Sequence, residues 1–175
     1  AKFQSFRAEA LAAPGTATVA YQKAAGGDDQ FTMLKGLELS VDGHRAVAQR
    51  CRELGIEFMS TAFDSGSLDL LCDIGIRRIK VPSGEVTNFP YLRDCARRGL
   101  PIILSTGMAD LEEGREAVAF LRGTMAPMVR EDPFGLPDLT VLHCTSAYPT
   151  PFADVNLAAM TTMARELDVA VGYSD

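Results

Sequence analysis

Ile56-Glu57-Phe58-Met59-Ser60-Thr61, Arg78-Ile79-Lys80-Val81-Pro82-Ser83 and Ile102-Ile103-Leu104-Ser105-Thr106 decide the fold. Each is a short apolar run, rich in β-branched residues and nearly continuous in hydrophobicity, as a strand buried on both faces should be. Ile56, Ile79 and Ile102 recur every 23 residues. That interval has room for a strand, a tight loop, one helix and a return, and repeated units of this kind build parallel sheets.

Working outward, Leu139-Thr140-Val141-Leu142-His143-Cys144-Thr145 and Val169-Ala170-Val171-Gly172-Tyr173 have the same character, and Ala1 to Phe6 reads as a further strand. Between the strands lie helical patterns. Gly43 to Leu54 carries Val47, Cys51 and Leu54 at helical spacing and stops at Gly55; Tyr91 to Arg98 stops at Gly99, and Leu111 to Arg122 at Gly123. Glycine is the natural residue just past a helix end. Ala8 to Asp29 reads as an irregular excursion, and Thr124 to Asp138, with Pro127, Pro133 and Pro137, as a surface insertion. A GxGxxG turn after the first strand and a GxxxxGK[ST] loop are both missing, which argues against an open nucleotide-binding sheet. Polar residues instead follow strand after strand, as at the C-terminal face of a barrel. The expected fold is α/β, a (β/α)8 TIM barrel present in part. Residues 1–175 form a partial catalytic domain with six strands, the first and last barrel elements lying outside it. The chain opens without methionine inside a strand and stops just after another, and so reads as a fragment.

Composition bounds the partners. Seventeen basic and 23 acidic residues give a net charge of −6, and 47% of residues are hydrophobic. Nucleic acid or an anionic membrane would call for a basic face, so neither is expected as a partner. No apolar run approaches a bilayer span, and no signal-peptide pattern opens the chain. Cys51, Cys72, Cys95 and Cys144 show neither metal-ligand spacing nor a dense disulfide pattern, which points to the cytoplasm.

Lysine is scarce: Lys2, Lys23, Lys35 and Lys80 stand against thirteen arginines, and Lys2 and Lys80 fall inside strands. A lysine there projects toward a barrel mouth or carries a large desolvation cost. The bland reading of Lys80 is a buried ion pair with Glu85 or Glu57. Ser60-Thr61, Ser83-Gly84-Glu85, Ser105-Thr106-Gly107, Thr145-Ser146 and Ser174 supply hydroxyls and close-approach glycines at strand ends. Taken singly each is a capping signal; together with one or two lysines they describe a pocket for a phosphate and a carboxylate. His143, inside an apolar strand, reads as a satisfied interior histidine, and His44 falls on a polar helix face. Tyr148-Pro149-Thr150-Pro151 is a rigid loop that either presents Tyr148 to a substrate or braces the rim. Lys80 is also the candidate Schiff-base lysine of a class I aldolase, and a non-catalytic barrel that binds sugar phosphates is the third reading.

Lys2-Phe3-Gln4, Ser60-Thr61, Lys80-Val81-Pro82-Ser83-Gly84-Glu85, Asn88-Phe89-Pro90-Tyr91-Leu92, Leu104-Ser105-Thr106-Gly107-Met108, His143-Cys144-Thr145-Ser146-Ala147-Tyr148-Pro149, Asp154-Val155-Asn156-Leu157 and Gly172-Tyr173-Ser174-Asp175, in this order, closely resemble the sialic acid synthase family. The resemblance implies condensation of phosphoenolpyruvate with an N-acyl-mannosamine-type sugar in a (β/α)8 barrel. It implies that Lys2, Thr61, Lys80, Ser83, Ser105 and Ser174 hold phosphoenolpyruvate, Lys2 and Lys80 being catalytic. Gln4, Ser146 and Tyr148 then lie near the sugar, and Ser146 stands where some members carry Asn. A divalent metal, Mn2+ or Mg2+, is implied with its ligands outside these residues. So are a catalytic Glu on an earlier strand, a small C-terminal antifreeze-like domain and a homodimer of the full-length protein.

Overall fold

A computed structural model describes residues 1–17, 29–125, 137–147 and 150–174. The chain divides into two compact units, Ala1–Ile76 and Arg77–Asp175. The first unit runs β1 (Lys2–Ser5), α1 (Ala8–Leu11), α2 (Gln30–Leu37), α3 (Val41–Glu53), β2 (Met59–Ala62) and α4 (Ser65–Ile74). The second runs β3 (Ile79–Val81), a 3₁₀ turn (Ser83–Glu85), α5 (Phe89–Arg97), β4 (Ile102–Ser105), α6 (Leu111–Met125), β5 (Leu139–His143), a second 3₁₀ turn (Phe152–Asp154), α7 (Ala158–Leu167) and β6 (Ala170–Tyr173).

All pairing within the units is parallel: β1 with β2, then β3 with β4, β4 with β5 and β5 with β6. Strand order within each unit follows chain order, with no reversal of the kind that marks the switch point of a doubly wound sheet. Both units are therefore parallel α/β structures, and the six strands fall on the six apolar runs. In the second unit one strand face is sealed by helices. Ile79, Ile102 and Leu139 share one rung of the ladder and Val81, Leu104 and Val141 another, all of them buried together with Leu92, Cys95, Val118 and Leu121. No helix among the described residues is long and apolar enough to cross a membrane.

Helix termini explain where the strands begin. Gly55 and Gly75 have φ of 67° and 90°, a region that glycine enters without strain. Behind each, the next residue's N–H reaches back five residues, Ile56 to the Cys51 carbonyl (3.0 Å) and Ile76 to that of Leu71 (3.2 Å). This closure satisfies carbonyls that a helix end would otherwise leave unpaired. It also uses the Ile56 backbone, so β2 starts at Met59 rather than at Ile56.

Three expectations need correction. Helix α6 does not stop at Arg122; it runs through Gly123 to Met125, because Leu121 and Met125, four residues apart, are both buried on one face. The stretch Ala8 to Asp29 is not wholly irregular, since its first residues form α1, with the Ala12 N–H closing on the Ala8 carbonyl (3.0 Å). His44 is not on a polar face: it lies with Ala48 and Cys51 on the buried side of α3 and is 2% exposed.

Candidate functional site

In the first unit Lys2 sits opposite Met59, Phe3 opposite Ser60, Gln4 opposite Thr61 and Ser5 opposite Ala62. Successive side chains alternate faces and partners on a rung share one. Lys2, Gln4 and Thr61 therefore occupy one face, and Phe3, Ser5 and Ser60 the other. The second face is the helix side: Phe3 stacks on Phe58 with centroids 5.8 Å apart, and Ser5 Oγ meets His44 Nε2 of α3 at 2.6 Å.

The face turned from α3 has the properties of a ligand surface. Lys2 is exposed, yet the surrounding protein desolvates its ammonium enough to lower its pKa from the ordinary 10.5. Partial loss of water strengthens the attraction of that charge for an anion. Thr61 is 2% exposed, and its Oγ1 is, among the described residues, a buried hydroxyl with no hydrogen-bond partner. Such an atom costs about 1–3 kcal/mol and is explained where a ligand supplies the partner.

The second unit repeats the arrangement. Lys80 shares a rung with Ile103, Ser105 with Leu142, and Leu142 with Gly172. Alternation puts Lys80, Ser105 and Gly172 on the face opposite Val81, Leu104 and Val141. The Ser174 N–H donates to the His143 carbonyl (3.0 Å), which carries the ladder past β6 and leaves Ser174 on the Gly172 face. Gly172 leaves room for Leu142, whose Cδ2 would lie 2.8 Å from any Cβ placed there. Lys80 is 8% exposed, and its Nζ donates to the Val81 carbonyl at 3.0 Å. Ser83 opens the 3₁₀ turn directly beyond β3, held by the Glu85 N–H to the Pro82 carbonyl (3.0 Å). Glu85 itself accepts from Asn88 Nδ2 (2.6 Å), while Asn88 Oδ1 caps α5 through the Tyr91 N–H (3.2 Å).

Two loops beyond β4 and β5 are tied together. Thr106 Oγ1 donates to the Leu142 carbonyl (3.0 Å) and Ser146 Oγ to that of Gly107 (2.8 Å). Ser146, the candidate sugar contact, thus uses its proton to fix the loop after β4. Tyr148 lies outside the described residues, as do Lys23 and Asp175. His143 is satisfied, as an interior histidine should be: its Nε2 lies 2.7 Å from the Val155 carbonyl oxygen, to which it donates. A cavity of about 480 Å3 is lined by Thr106 and Gly107 just beyond β4, by His143 and Cys144, and by Thr162 and Met163 of α7; neither Lys80 nor Ser105 lines it. Among the described residues no group of three or more His, Cys, Asp or Glu side chains is placed to hold a metal ion. These residues do not themselves supply a site for the implied divalent metal.

One buried polar group escaped the sequence reading. Ser5, Ser60 and His44 form a hydrogen-bonded chain on the helix side of β1 and β2. Its signal was available: His44, Ala48 and Cys51 fall at i, i+4 and i+7, the spacing of a core-facing helical stripe.

The chain is 48% identical over 177 residues to an N,N'-diacetyllegionaminic acid synthase of Legionella pneumophila, covering 99% of this chain and 48% of that protein. A Campylobacter jejuni protein of the same name is 40% identical over 176 residues, covering 99% of this chain and 50% of its own. The crystal structure of an N-acetylneuraminic acid (sialic acid) synthetase from Leptospira borgpetersenii superposes with a TM-score of 0.80 at 27% identity, over 99% of this chain and 53% of that one. The chain thus spans about half the length of the relatives it matches. Residues 1–175 match the NeuB family throughout, and the chain belongs to that family.

Proposed function

We propose that the full-length protein condenses phosphoenolpyruvate with an N-acyl-mannosamine-type sugar, giving a sialic acid-type nonulosonic acid and phosphate, on a (β/α)8 barrel. The observation that carries this reading is a polar strand face in each unit. Lys2, Gln4 and Thr61 in one unit, and Lys80, Ser105 and Ser174 in the other, stand on the strand side turned from the buried helix-facing rows. Phosphoenolpyruvate is a phosphate and a carboxylate on three carbons, and two cations with a set of hydroxyl donors suit both groups.

In this reaction C3 of the enol phosphate attacks the aldehyde carbon of the open-chain sugar, forming the C–C bond, and the aldehyde oxygen takes up a proton. Water adds at C2 and loses a proton. The tetrahedral adduct then breaks the bond from C2 to the bridging phosphate oxygen, the new C2 hydroxyl gives its proton to the departing phosphate, and C2 becomes the ketone. Lys2 and Lys80 act as permanent cations that hold the anionic groups and stabilise phosphate as it departs. Thr61 supplies its unmatched hydroxyl, Ser83, Ser105 and Ser174 add donors, and Gln4, Ser146 and Tyr148 face the sugar. The divalent metal, with ligands elsewhere in the protein, would supply Lewis acidity toward the aldehyde.

Purified full-length protein tests this by phosphate release from phosphoenolpyruvate. The proposal expects release only when an N-acyl amino sugar is present, with a nonulosonic acid formed in equal amount. Release that ignores the sugar would overturn it, and a borohydride-trapped adduct of Lys80 with pyruvate would replace it with the aldolase reading.

A further inference from the structure

On the face of β1 and β2 opposite Gln4 and Thr61, three buried polar side chains form a continuous chain. Ser5 and Ser60 are each 1% exposed and His44 2%. Ser5 Oγ lies 2.6 Å from His44 Nε2 and 2.7 Å from Ser60 Oγ, and His44 Nδ1 lies 2.9 Å from the Ser40 carbonyl oxygen. A carbonyl only accepts, so Nδ1 carries the proton. In the neutral ring Nε2 then accepts from Ser5, and Ser5 accepts from Ser60. Ser40 also caps α3 through the Gly43 N–H (3.0 Å). The chain therefore runs from the N-terminus of α3 across both strands.

Its register matters more than its presence. Ser60 pairs with Phe3 and Ser5 with Ala62, so the Ser5–Ser60 bond runs diagonally across the rung between them, and that rung is Gln4 opposite Thr61. Just beyond it the Phe63 N–H donates to the Ser5 carbonyl (3.1 Å). Aliphatic side chains would fill this helix-facing space without needing partners, as they do behind β3 and β4. A hydrogen-bonded chain instead fixes both strand ends in one register and one set of rotamers.

We propose that Ser60, Ser5 and His44 are positioning residues, which hold the Gln4–Thr61 rung in the geometry that binds substrate. This rests on the proposed reaction, since Gln4 and Thr61 are its assumed contacts. Losing such support displaces groups by fractions of an ångström, enough to lower rates up to about 100-fold.

The test uses the full-length protein with Ser60→Ala, which leaves the Ser5–His44 pair intact, alongside Ser60→Thr, Ser5→Ala and Ser5→Thr. Steady-state kinetics with phosphoenolpyruvate and sugar are measured together with amide hydrogen exchange. The expected result is a roughly 10- to 100-fold fall in kcat/KM for both alanine variants, substantial recovery in the threonine variants, and faster exchange confined to residues 3–5 and 60–63. Unchanged kinetics with uniformly faster exchange would overturn the inference and leave a merely structural network. Should the unmodified protein fail to consume phosphoenolpyruvate, the proposed reaction falls. The exchange pattern then still decides: local acceleration at Gln4 and Thr61 supports the positioning role, and none refutes it.

Discussion

Lys80 sits between Ile79 and Val81, which are buried against helices, and is itself almost wholly enclosed. A side chain of this kind, on the face that also carries Ser105, has value as a fixed cation near an anionic ligand. Lys80→Ala in the full-length protein is expected to lower kcat by about 10²–10³, the loss typical of removing one donor aimed at developing charge. Circular dichroism on the same sample should show an intact fold; near-normal turnover would remove Lys80 from the mechanism. Thr61 invites the converse experiment. Thr61→Val keeps the shape and deletes a hydroxyl that has no partner among the described residues, so it should raise the melting temperature while weakening phosphoenolpyruvate binding. A variant that is both less stable and unimpaired in binding would contradict that reading. These residues were legible because lysine and clustered hydroxyls are unusual in apolar strands. His44 was misread because its polarity was weighed above its spacing, and the Ser5–Ser60 contact depends on a pairing register that no single strand encodes.

At the scale of elements, the strands were visible as apolar runs, but their first residues were not. Ile56 is apolar and adjoins a strand, yet its N–H closes α3 and its side chain is largely exposed. Gly123 looked like a helix stop because glycine usually is one; burial of Met125 one residue pair further on overrides it. Elements α1 and α2 are joined by a charge cluster that propensity does not reveal. Glu38 accepts from the Ala8 N–H (2.7 Å), and Lys35 bridges Glu9 (2.7 Å) and Glu38 (3.1 Å). The Ala8 N–H, with Lys35 beside it, holds the Glu38 carboxyl below its ordinary value of 4.5; the Lys35 hydrogen bond does the same for Glu9; and Glu9 followed by Glu38 raises Lys35 above 10.5. The carboxylate contributions are present above the unfolded carboxyl values and fade as pH falls through the lowered folded ones. The Lys35 contribution is complete below 10.5 and fades as pH rises through its raised value. Glu38→Gln should therefore lower the melting temperature near pH 7 and narrow its difference from the unmodified protein in acid, in low salt. Equal melting temperatures at neutral pH would show that the cluster contributes nothing.

The molecule as a whole has a net charge of −6, while each unit carries a lysine and hydroxyls on one strand face, so an anion would be attracted locally rather than by the overall field. Parallel α/β architecture follows from the regular recurrence of three apolar runs; which side of each strand turns from the buried helix-facing rows is visible only in the register of the pairs. Membership of the NeuB family sets the chain beside relatives named as N,N'-diacetyllegionaminic acid synthases. On the proposed reaction, these residues hold the phosphate of phosphoenolpyruvate as a leaving group while a new carbon–carbon bond forms. Phosphoenolpyruvate labelled with heavy oxygen at the bridge between C2 and phosphorus tests it most directly, with the full-length protein, an N-acyl-mannosamine and mass analysis of both products. Cleavage of the C–O bond predicts that the label leaves in inorganic phosphate. Label retained in the sugar acid would mean that the P–O bond breaks, and the account would be wrong.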